Sequence, residues 1–398
     1  MCLFGDPPEH RSERKTEGSQ ISGGKGSEDV AGTAGIRVLL AGGGTGGHVF
    51  PAIAVAERIR DAEPDADILF IGTKGKIEAT AVPAAGFNFR SIWISGFSRK
   101  SMKENLLFPV KLIVSIFQSI GICMKFKPQV IVATGGYVSG PAVIGARVMG
   151  AKVVLIEPNS YPGITTRLLE RKADEIHLMF KDALEFLRVK DNVFVTGDPV
   201  RKSLAEADRA EARKSLGIGS EDKVLFVVGG SLGAKAINSA VAGALAEFEK
   251  EGITLLWQTG KTTYDEFKKH ASDRVRIFPF IDNMNGVYAA SDLVLARAGA
   301  TTIAELAYLN KPSVLVPFPL AAENHQFRNA KSMVEAGAAL LVEEKNLKDE
   351  LVQSVATLLN NSEKRGEMIR NLEKLGGKDA ARVIAGRVVN ACKYGSFS

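Results

Sequence analysis

Short apolar runs alternate with amphipathic segments along most of the chain. The runs that predict buried strands of a first series are rich in Val, Ile and Leu and lie at residues 36–41, 67–72, 130–135 and 152–157. A second series begins with KVLFVVGG at residues 223–230 and continues to PSVLVPF at residues 312–318. Because strands that alternate with helices form parallel sheets covered on both faces, this pattern predicts an α/β protein with two doubly wound, Rossmann-like domains. The strand ends of both domains would then face a central cleft, where such folds bind ligands.

The length of 398 residues suffices for two or three domains of ordinary size. Residues 1–35 are rich in Gly, Ser, Glu and Lys, so we expect a disordered tail, and its acidic residues fit neither a secretory signal nor an organelle transit peptide. We expect an N-terminal domain at 36–198, a C-terminal domain at 199–375, and a final helix within 376–398 that packs back on the N-terminal domain. Three scattered cysteines exclude a disulfide framework and a cysteine-rich metal site.

Three glycine-rich loops follow predicted strands and open predicted helices. They are GGGTGGHVFP at residues 42–51, GGSLGAKAIN at residues 229–238 and ARAGATTIAEL at residues 296–306. Exposed N–H groups and the helix dipole suit such loops to anions and to the close approach of a sugar. Tight turns use glycine for geometry as well, but three such strand ends across both domains predict a phosphate-bearing ligand. In the third loop, Thr301 and Thr302 are also candidates to cap the helix, and Glu305 is placed to accept hydrogen bonds from a ribose diol.

The first loop also matches a dinucleotide-binding pattern. Gly42, Gly44 and Gly47 satisfy G-x-G-x-x-G, but the acidic residue expected at the end of the second strand is missing, because that strand ends in Gly72, Thr73 and Lys74. NAD binding is therefore disfavoured. The cation of Lys74 leaves an NADP-dependent oxidoreductase open as an alternative.

Four runs of the chain resemble the MurG family of glycosyltransferases. They are GGTGGHVFPAIAVAERI, GGYVSGPAVIGARVMG, GGSLGA and AGATTIAEL, and they occur in the family's order from about residue 36 to the C-terminal region. MurG enzymes transfer N-acetylglucosamine from UDP to lipid I, the undecaprenyl-pyrophosphoryl-MurNAc-pentapeptide of bacterial peptidoglycan synthesis. The resemblance implies a GT-B fold and inverting transfer to the MurNAc C4 hydroxyl without a covalent intermediate or a cofactor. It also implies a peripheral enzyme on the cytoplasmic face of the plasma membrane that serves cell-wall growth, cell shape and division.

The resemblance further implies substrate contacts at individual positions. The positions near the donor sugar would be Thr45, Gly46, Gly47, Asn159 and Gln326. Those near the nucleotide, its ribose and its diphosphate would be Arg201, Ser231, Ile281, Ala300, Thr301, Thr302 and Glu305, with Ile281 offering its backbone to the uracil. The chain departs from the family where Ile156 and Pro158 replace a His and a Gln of an HEQN run, and where Ala298 replaces a Ser. These departures put the fine positioning of the sugar, and one phosphate donor, in question.

Attack by the acceptor hydroxyl requires a base for its proton. His48, at the start of the first helix beside the glycine loop, is the candidate, because a helix N-terminus disfavours the protonated imidazole. Its alternative role is structural, fixing the loop. Helix N-termini and Arg201 can stabilise the departing UDP, so no metal is required. The D-x-D pair of Asp65 and Asp67 precedes the second strand, at the end away from the cleft, and predicts a solvated loop rather than a metal site.

Residues 106–124 form an apolar stretch with a basic rim. The stretch contains one charge, Lys111, and nearly reaches the length that spans a bilayer, but its proline, glutamine and glycine argue against spanning. Basic residues flank it on both sides with one acid between them, which predicts interfacial binding to an anionic membrane. The residues expected at the membrane are Leu106, Leu107, Phe108, Lys111 and Phe117. The alternative for this stretch is a buried crossover helix of the sheet. A nucleic-acid partner is not expected. For the function of the whole chain, a non-catalytic membrane subunit that binds a UDP-sugar also stays open.

Overall fold

The computed structural model describes residues 35–96, 106–230, 232–376 and 379–397, and these contain two all-parallel sheets. The seven-stranded sheet has the order β3-β2-β1-β4-β5-β6-β7 and contains β1 (Arg37–Gly42), β2 (Asp67–Gly72), β3 (Asn88–Ser91), β4 (Val130–Gly135), β5 (Lys152–Glu157), β6 (Glu175–Leu178) and β7 (Val193–Val195). The six-stranded sheet has the order β10-β9-β8-β11-β12-β13 and contains β8 (Lys223–Val228), β9 (Ile253–Gln258), β10 (Val275–Phe278), β11 (Leu293–Ala296), β12 (Ser313–Leu315) and β13 (Leu340–Leu341). We call the seven-stranded sheet with its helices the N-terminal lobe and the six-stranded sheet with its helices the C-terminal lobe. The two doubly wound, Rossmann-like domains predicted from the sequence are confirmed.

Helices connect the strands and cover both faces of each sheet. Those between the strands of the first sheet are α1 (Gly46–Ala62), α2 (Glu78–Ala84), α3 (Phe108–Phe126), α4 (Ser139–Val148) and α5 (Ile164–Leu169). Those that follow are α6 (Arg209–Ser215), α7 (Lys235–Gly243), α8 (Leu245–Lys250), α9 (Tyr264–Phe267), α10 (Met284–Ala290), α11 (Ala300–Tyr308), α12 (His325–Glu335), α13 (Leu347–Asn360), α14 (Ser362–Gly376) and α15 (Ala380–Tyr394). Short 3₁₀ helices lie at Glu170–Lys172, Lys181–Phe186, Lys202–Ala205, Lys268–His270, Ala322–Asn324 and Glu344–Asn346.

The strand order positions the glycine loops. In both sheets the order reverses beside the first strand, between β1 and β4 and again between β8 and β11. The carboxyl ends of these four strands carry the three glycine loops and the GGYVSGP turn. A crevice opens at such a reversal, because the two crossover helices leave on opposite faces of the sheet. The loops that resemble substrate-binding motifs therefore lie at the sites where this architecture forms ligand clefts.

The last helix packs in the core of the first lobe. On α15, Ile384 and Val388 are fully buried and share an apolar cluster with Val38 and Leu40 of β1 and with α1. This cluster covers one face of the first sheet, and α3 and α4 cover the other. Polar contacts reinforce the docking of α15, among them an ion pair between Arg58 and Asp379. The C-terminal helix thus completes the core of the lobe in which the sequence begins.

Helix α3 buries its small residues and exposes its large apolar ones. Its buried residues are Ser115, Ser119 and Cys123, one per turn on one face. This face packs closely on α4, where a Cβ added to Gly145 would lie 2.8 Å from the backbone of Ser119. The exposed large apolar residues along the helix and its entry are Leu106, Leu107, Val110, Ile113, Phe117 and Met124. Within the described ranges, α3 is the one helix long and apolar enough to cross a membrane.

Candidate active site

The first glycine loop is held by a buried carboxylate that the sequence analysis did not single out. Glu78, at the start of α2, accepts hydrogen bonds from the backbone N–H of Gly44 at 3.1 Å and from the N–H and hydroxyl of Thr73 at 3.1 and 2.7 Å. The Glu78 carboxylate therefore already accepts from the Gly44 N–H, which the pyrophosphate of a dinucleotide would need, and its negative charge would repel the phosphates. This geometry removes support from the NADP alternative.

His48 lies in the first turn of α1 with its imidazole set in one orientation. Its Nδ1 is 2.8 Å from the carbonyl oxygen of Thr134 at the end of β4. Because a carbonyl only accepts, Nδ1 carries the proton and Nε2 carries the lone pair. Gly135 and Gly136 leave room for the ring, since a Cβ on Gly135 would lie 2.8 Å from the imidazole Cε1. Burial lowers the pKa of His48 from 6.5, against the opposing effect of the Glu157 carboxylate, so the imidazole is neutral at pH 7.

The first and third glycine loops meet across the cleft. A Cβ added to Gly47 would lie 3.3 Å from the hydroxyl oxygen of Thr301 at the start of α11. The prediction that Thr301 or Thr302 caps this helix is wrong, because Gly299 is the N-cap residue and no side-chain cap hydrogen bond is formed there within the described residues. The hydroxyl of Thr301 is buried and has no hydrogen-bond partner within the described part of the chain. The first backbone N–H groups of α11, beginning at Ala300, have no acceptor within their own helix, and the Thr301 hydroxyl lies at this helix start.

Glu305 and Arg201 lie near this helix start. The hydroxyl of the buried Tyr288 donates to Glu305 at 2.9 Å and fixes its carboxylate one turn into α11. Burial raises the pKa of Glu305, while the Arg201 guanidinium and the Tyr288 hydroxyl lower it. Arg201 follows the GDPV turn and stacks over the ring of Phe50 on α1, 4.9 Å from its centroid. Arg201 thus lies between the lobes, within electrostatic reach of a ligand at α11.

Another buried carboxyl group, that of Asp198, lies in the segment that joins the lobes. Neither oxygen of Asp198 has a hydrogen-bond partner among the residues that the structure describes. Burial, together with the negative charges of Glu157 and Glu305, holds the pKa of Asp198 well above 3.8. A carboxyl group in this setting is stabilised in its neutral form.

The loop after β5 is organised around Glu157. This buried carboxylate accepts from the N–H of Gly163 at 2.9 Å, the hydroxyl of Thr166 at 2.6 Å, and the N–H and side-chain amide of Asn159 at 3.0 and 3.1 Å. Asn159 is therefore anchored despite the departures from the HEQN run on either side. Of these, Ile156 is part of the apolar core beneath the loop. The third departure, Ala298, is also fully buried in the core of its own lobe.

The remaining predicted positions lie in the C-terminal lobe. Gln326, on the first turn of α12, accepts from the backbone N–H of Phe318 at 2.9 Å. The backbone N–H of Ile281 donates to the side-chain oxygen of Gln258 at 2.9 Å. Gln258, which sequence reasoning missed, also donates to the carbonyl of Gly230 at 3.3 Å. It therefore links the segment of Ile281 to the second glycine loop. Ser231 lies outside the described residues.

Other polar clusters are separate from this cleft. Asp65 and Asp67 are exposed at the amino end of β2, as the sequence predicts. His177 is buried against Glu175, which pairs with Arg387 of α15, so its role is in packing. Within the ranges that the structure describes, no group of three or more His, Cys, Asp or Glu side chains is arranged to hold a metal ion.

The five expected membrane residues differ in exposure. Leu106 and Phe117 are 82% and 69% exposed, and Leu107 is exposed as well. Phe108 is half-buried and packs against the core of the lobe. Lys111 donates to the hydroxyl of Ser95 at 3.0 Å, with its ammonium 5.9 Å from the ring of the exposed Trp93. Trp93 therefore belongs beside this apolar face, although the sequence analysis did not include it.

Comparison with known proteins agrees with this architecture. The model of the glycosyltransferase family 28 N-terminal domain matches residues 38–178, and that of the C-terminal domain matches residues 224–384. Two curated proteins named UDP-N-acetylglucosamine--N-acetylmuramyl-(pentapeptide) pyrophosphoryl-undecaprenol N-acetylglucosamine transferase are similar along nearly their whole length. The one from Flavobacterium psychrophilum is 37% identical over 89% of this chain and 97% of its own length. The one from Salinibacter ruber is 40% identical over 87% of this chain and 95% of its own length.

Solved structures give the same result. The crystal structure of Acinetobacter baumannii MurG superimposes with a TM-score of 0.68 at 26% identity, covering 89% of this chain and 99% of that one. A kitacinnamycin glycosyltransferase reaches a TM-score of 0.70 at 14% identity, covering 90% and 99%, and so shares the fold. The GT-B fold expected from the motifs is confirmed. The chain belongs to glycosyltransferase family 28 and, within it, to the MurG family.

Proposed function

We propose that this chain transfers N-acetylglucosamine from UDP-N-acetylglucosamine to the C4 hydroxyl of MurNAc in lipid I, with inversion at the anomeric carbon. The observation that carries the proposal is the meeting of the first and third glycine loops, Gly47 beside Thr301, in a chain whose relatives are named as transferases of this kind. One loop belongs to each lobe. A donor held by one lobe is thereby presented to an acceptor held by the other.

The C-terminal lobe, residues 199–375, binds the nucleotide in this proposal. The N–H groups at the start of α11 and the Arg201 guanidinium receive the diphosphate, and Ser231 adds a hydroxyl. The fixed carboxylate of Glu305 accepts from the ribose hydroxyls, since Tyr288 holds it in place. Ala300, Thr301 and Thr302 flank the same ligand, and the carbonyl of Ile281 accepts from the uracil. Preorganised donors of this kind contribute about 10²- to 10³-fold each to stabilising a departing anion.

The donor sugar lies between the lobes. Asn159 and Gln326 approach it from opposite sides, and Thr45, Gly46 and Gly47 allow its close approach at the first loop. The C4 hydroxyl of the acceptor attacks the anomeric carbon from the face opposite UDP. The new bond from C1 to oxygen forms as the bond from C1 to the phosphate oxygen breaks, and UDP leaves with the electron pair.

His48 takes the proton of the attacking hydroxyl. Nδ1 donates to the Thr134 carbonyl, so the basic Nε2 is free to accept. A lowered pKa keeps the imidazole neutral, which a base requires before it acts. Such a base contributes about 10²- to 10⁴-fold to the rate.

The N-terminal lobe, residues 36–198 with α15 packed on them, receives the lipid-linked acceptor at an anionic membrane surface. The exposed apolar face of α3 supports this part of the proposal, because soluble monomers rarely expose so many large apolar side chains together. Lys111, Lys125 and Lys127 supply positive charge along the helix, and each such charge near an anionic lipid contributes about 1 kcal/mol. The chain then acts as a peripheral enzyme on the cytoplasmic face of the plasma membrane.

The test is transfer of labelled N-acetylglucosamine to a lipid I analogue by the purified chain alone. We expect transfer from UDP-N-acetylglucosamine, little from UDP-N-acetylgalactosamine, and no binding of NADPH. His48→Gln should lower kcat by at least 100-fold and leave UDP binding unchanged. Tight binding of the donor with no transfer would instead favour the non-catalytic subunit and refute the proposal.

A further inference from the structure

Two asparagines form a hydrogen-bonded path from one lobe to the other. Asn329 of α12 is completely buried, and its side-chain oxygen accepts from the N–H and hydroxyl of Ser160 at 2.9 and 3.0 Å. Its side-chain nitrogen donates to the side-chain oxygen of Asn159 at 3.3 Å. The Asn159 nitrogen donates in turn to the carboxylate of Glu157 at 3.1 Å. Glu157, Asn159 and Ser160 belong to the N-terminal lobe, and Asn329 belongs to the C-terminal lobe.

The orientation of both amides is fixed from the two ends of this path. The carboxylate of Glu157 only accepts, so the amide nitrogen of Asn159 must face it and the amide oxygen must face Asn329. The backbone N–H of Ser160 only donates, so the oxygen of Asn329 must face it and the nitrogen must face Asn159. Both requirements agree at the contact between the two asparagines. Neither amide can turn over without placing two donors or two acceptors against each other.

We propose that Asn329 is a positioning residue that sets the amide of Asn159 for the donor sugar and makes that setting depend on contact between the lobes. This inference rests on the proposed function, in which Asn159 binds the N-acetylglucosamine. Asn329 has no exposed surface and its amide oxygen is engaged by the Ser160 donors, so it does not touch the sugar itself. Its effect passes through Asn159.

The path leaves Asn159 with a defined pair of groups for a ligand. One N–H of its amide is used by Glu157 and one lone pair by Asn329, so one N–H and one lone pair remain. When the lobes separate, Asn159 loses the partner that holds its oxygen and keeps only the contacts to Glu157. Recognition of the sugar is then strongest with the lobes in contact, while the contacts to the nucleotide do not pass through Asn159.

Two other contacts between the lobes do not include Asn159. On the same helix, the hydroxyl of Ser332 donates to Asp182 of the N-terminal lobe. Arg167 pairs with Glu323 at 3.1 Å. Ser332→Ala is therefore a matched control, since it removes a hydrogen bond between the lobes from the same helix and leaves the two asparagines intact.

The experiment measures kcat/KM for UDP-N-acetylglucosamine, the ratio of that value to kcat/KM for UDP-N-acetylgalactosamine, and the inhibition constant of UDP. We expect Asn329→Ala to lower kcat/KM about tenfold and to reduce the ratio, with the UDP constant within about twofold of that of the unmodified chain. Asn159→Ala should do the same. The double variant should be no worse than Asn159→Ala, because both changes break one path. Ser332→Ala should change none of the three quantities.

Three results would overturn the inference: a UDP constant that rises with Asn329→Ala as much as KM does, multiplicative losses in the double variant, or an equal loss in Ser332→Ala. If Asn329→Ala does not fold, Asn329→Asp replaces it, since one oxygen still accepts from Ser160 while the other faces the Asn159 oxygen. Failure of the proposed function is distinct, because the unmodified chain would then not transfer the sugar or Asn159→Ala would have no effect. Normal kinetics of Asn329→Ala beside an impaired Asn159→Ala would refute the inference alone.

Discussion

Replacing Phe117 by Ser should weaken binding of this chain to anionic vesicles. Phe117 is the most exposed aromatic side chain on α3, with 69% of its surface in water. Complete burial of a phenylalanine side chain releases about 1.5–3 kcal/mol, so covering the exposed part in a membrane interface releases about 1–2 kcal/mol. Loss of that free energy corresponds to about a 5- to 30-fold weaker partition coefficient.

Tyr394 supplies the matched control. It is also an exposed aromatic residue, with 74% of its surface in water, but it ends α15, which covers the opposite face of the first sheet. Tyr394→Ser should therefore leave vesicle binding unchanged. Co-sedimentation with vesicles of phosphatidylcholine and phosphatidylglycerol measures both partition coefficients, and circular dichroism checks that both variants are folded.

Unchanged vesicle binding of Phe117→Ser would refute the reasoning that the exposed face of α3 enters the membrane interface. A similar loss in both would do so as well, because it would show a general dependence on exposed aromatic area. With Phe117→Ser, transfer to a soluble acceptor analogue should remain normal, because the exposed side chain of Phe117 is not one of those placed at the cleft. Transfer to lipid I in vesicles should fall in parallel with binding.

The remaining predictions concern packing and the base. Gly145→Ala should lower the free energy of unfolding by about 1–3 kcal/mol in a denaturant titration, since its Cβ would collide with the backbone of α3, whereas Gly140→Ala on the same helix meets nothing within 4 Å and should be nearly neutral. Gly135→Ala should lower kcat more than tenfold in the transfer assay, because its Cβ would displace the ring of His48. Gly150→Ala is the control, because Gly150 also has a positive φ but has open space around it. If Gly150→Ala folds normally and loses as much kcat as Gly135→Ala, the loss does not come from displacement of the His48 ring. The acid limb of kcat/KM against pH should have an apparent pKa below 6.5, because activity is lost only as the pH falls through the lowered pKa of His48; a limb above 6.5 would exclude this base.

The fold could be predicted because its signals are local. Apolar runs mark the strands, and the glycines after β1, β8 and β11 mark the turns that begin the next helices. His48 could be found for the same reason, since it follows the first loop directly. Its orientation could not, because the carbonyl that fixes it belongs to Thr134, on a strand 86 residues away.

Glu78 and Asn329 illustrate what a single sequence does not contain. Neither belongs to a run that the sequence analysis quotes, and each acts through a side chain that reaches a distant loop. Glu78 bonds Gly44 across 34 residues, and Asn329 bonds Asn159 across 170. Buried polar side chains of this kind are recognised only when the partner that satisfies them is seen.

The orientation of α3 was open for a different reason. Large apolar residues occur nearly all round this helix, so its pattern did not distinguish a buried face from a lipid-facing one. The serines and the cysteine on the packed face allow close approach to α4, where Gly145 lies. The stripe of small residues on this helix marks its inner face only in comparison with the large side chains around it.

The docking of α15 has a consequence for how this protein is made. Part of one face of the first sheet, beside α1, stays uncovered until α15 is synthesised, more than 200 residues after β5. At about 5–20 residues per second, that interval lasts roughly 10–45 s. The C-terminal lobe emerges and can fold within that interval, while the N-terminal lobe waits with an open apolar surface. During translation, therefore, the lobe that begins the protein is the last to finish folding, and it is the part of the nascent chain that offers chaperones a binding surface.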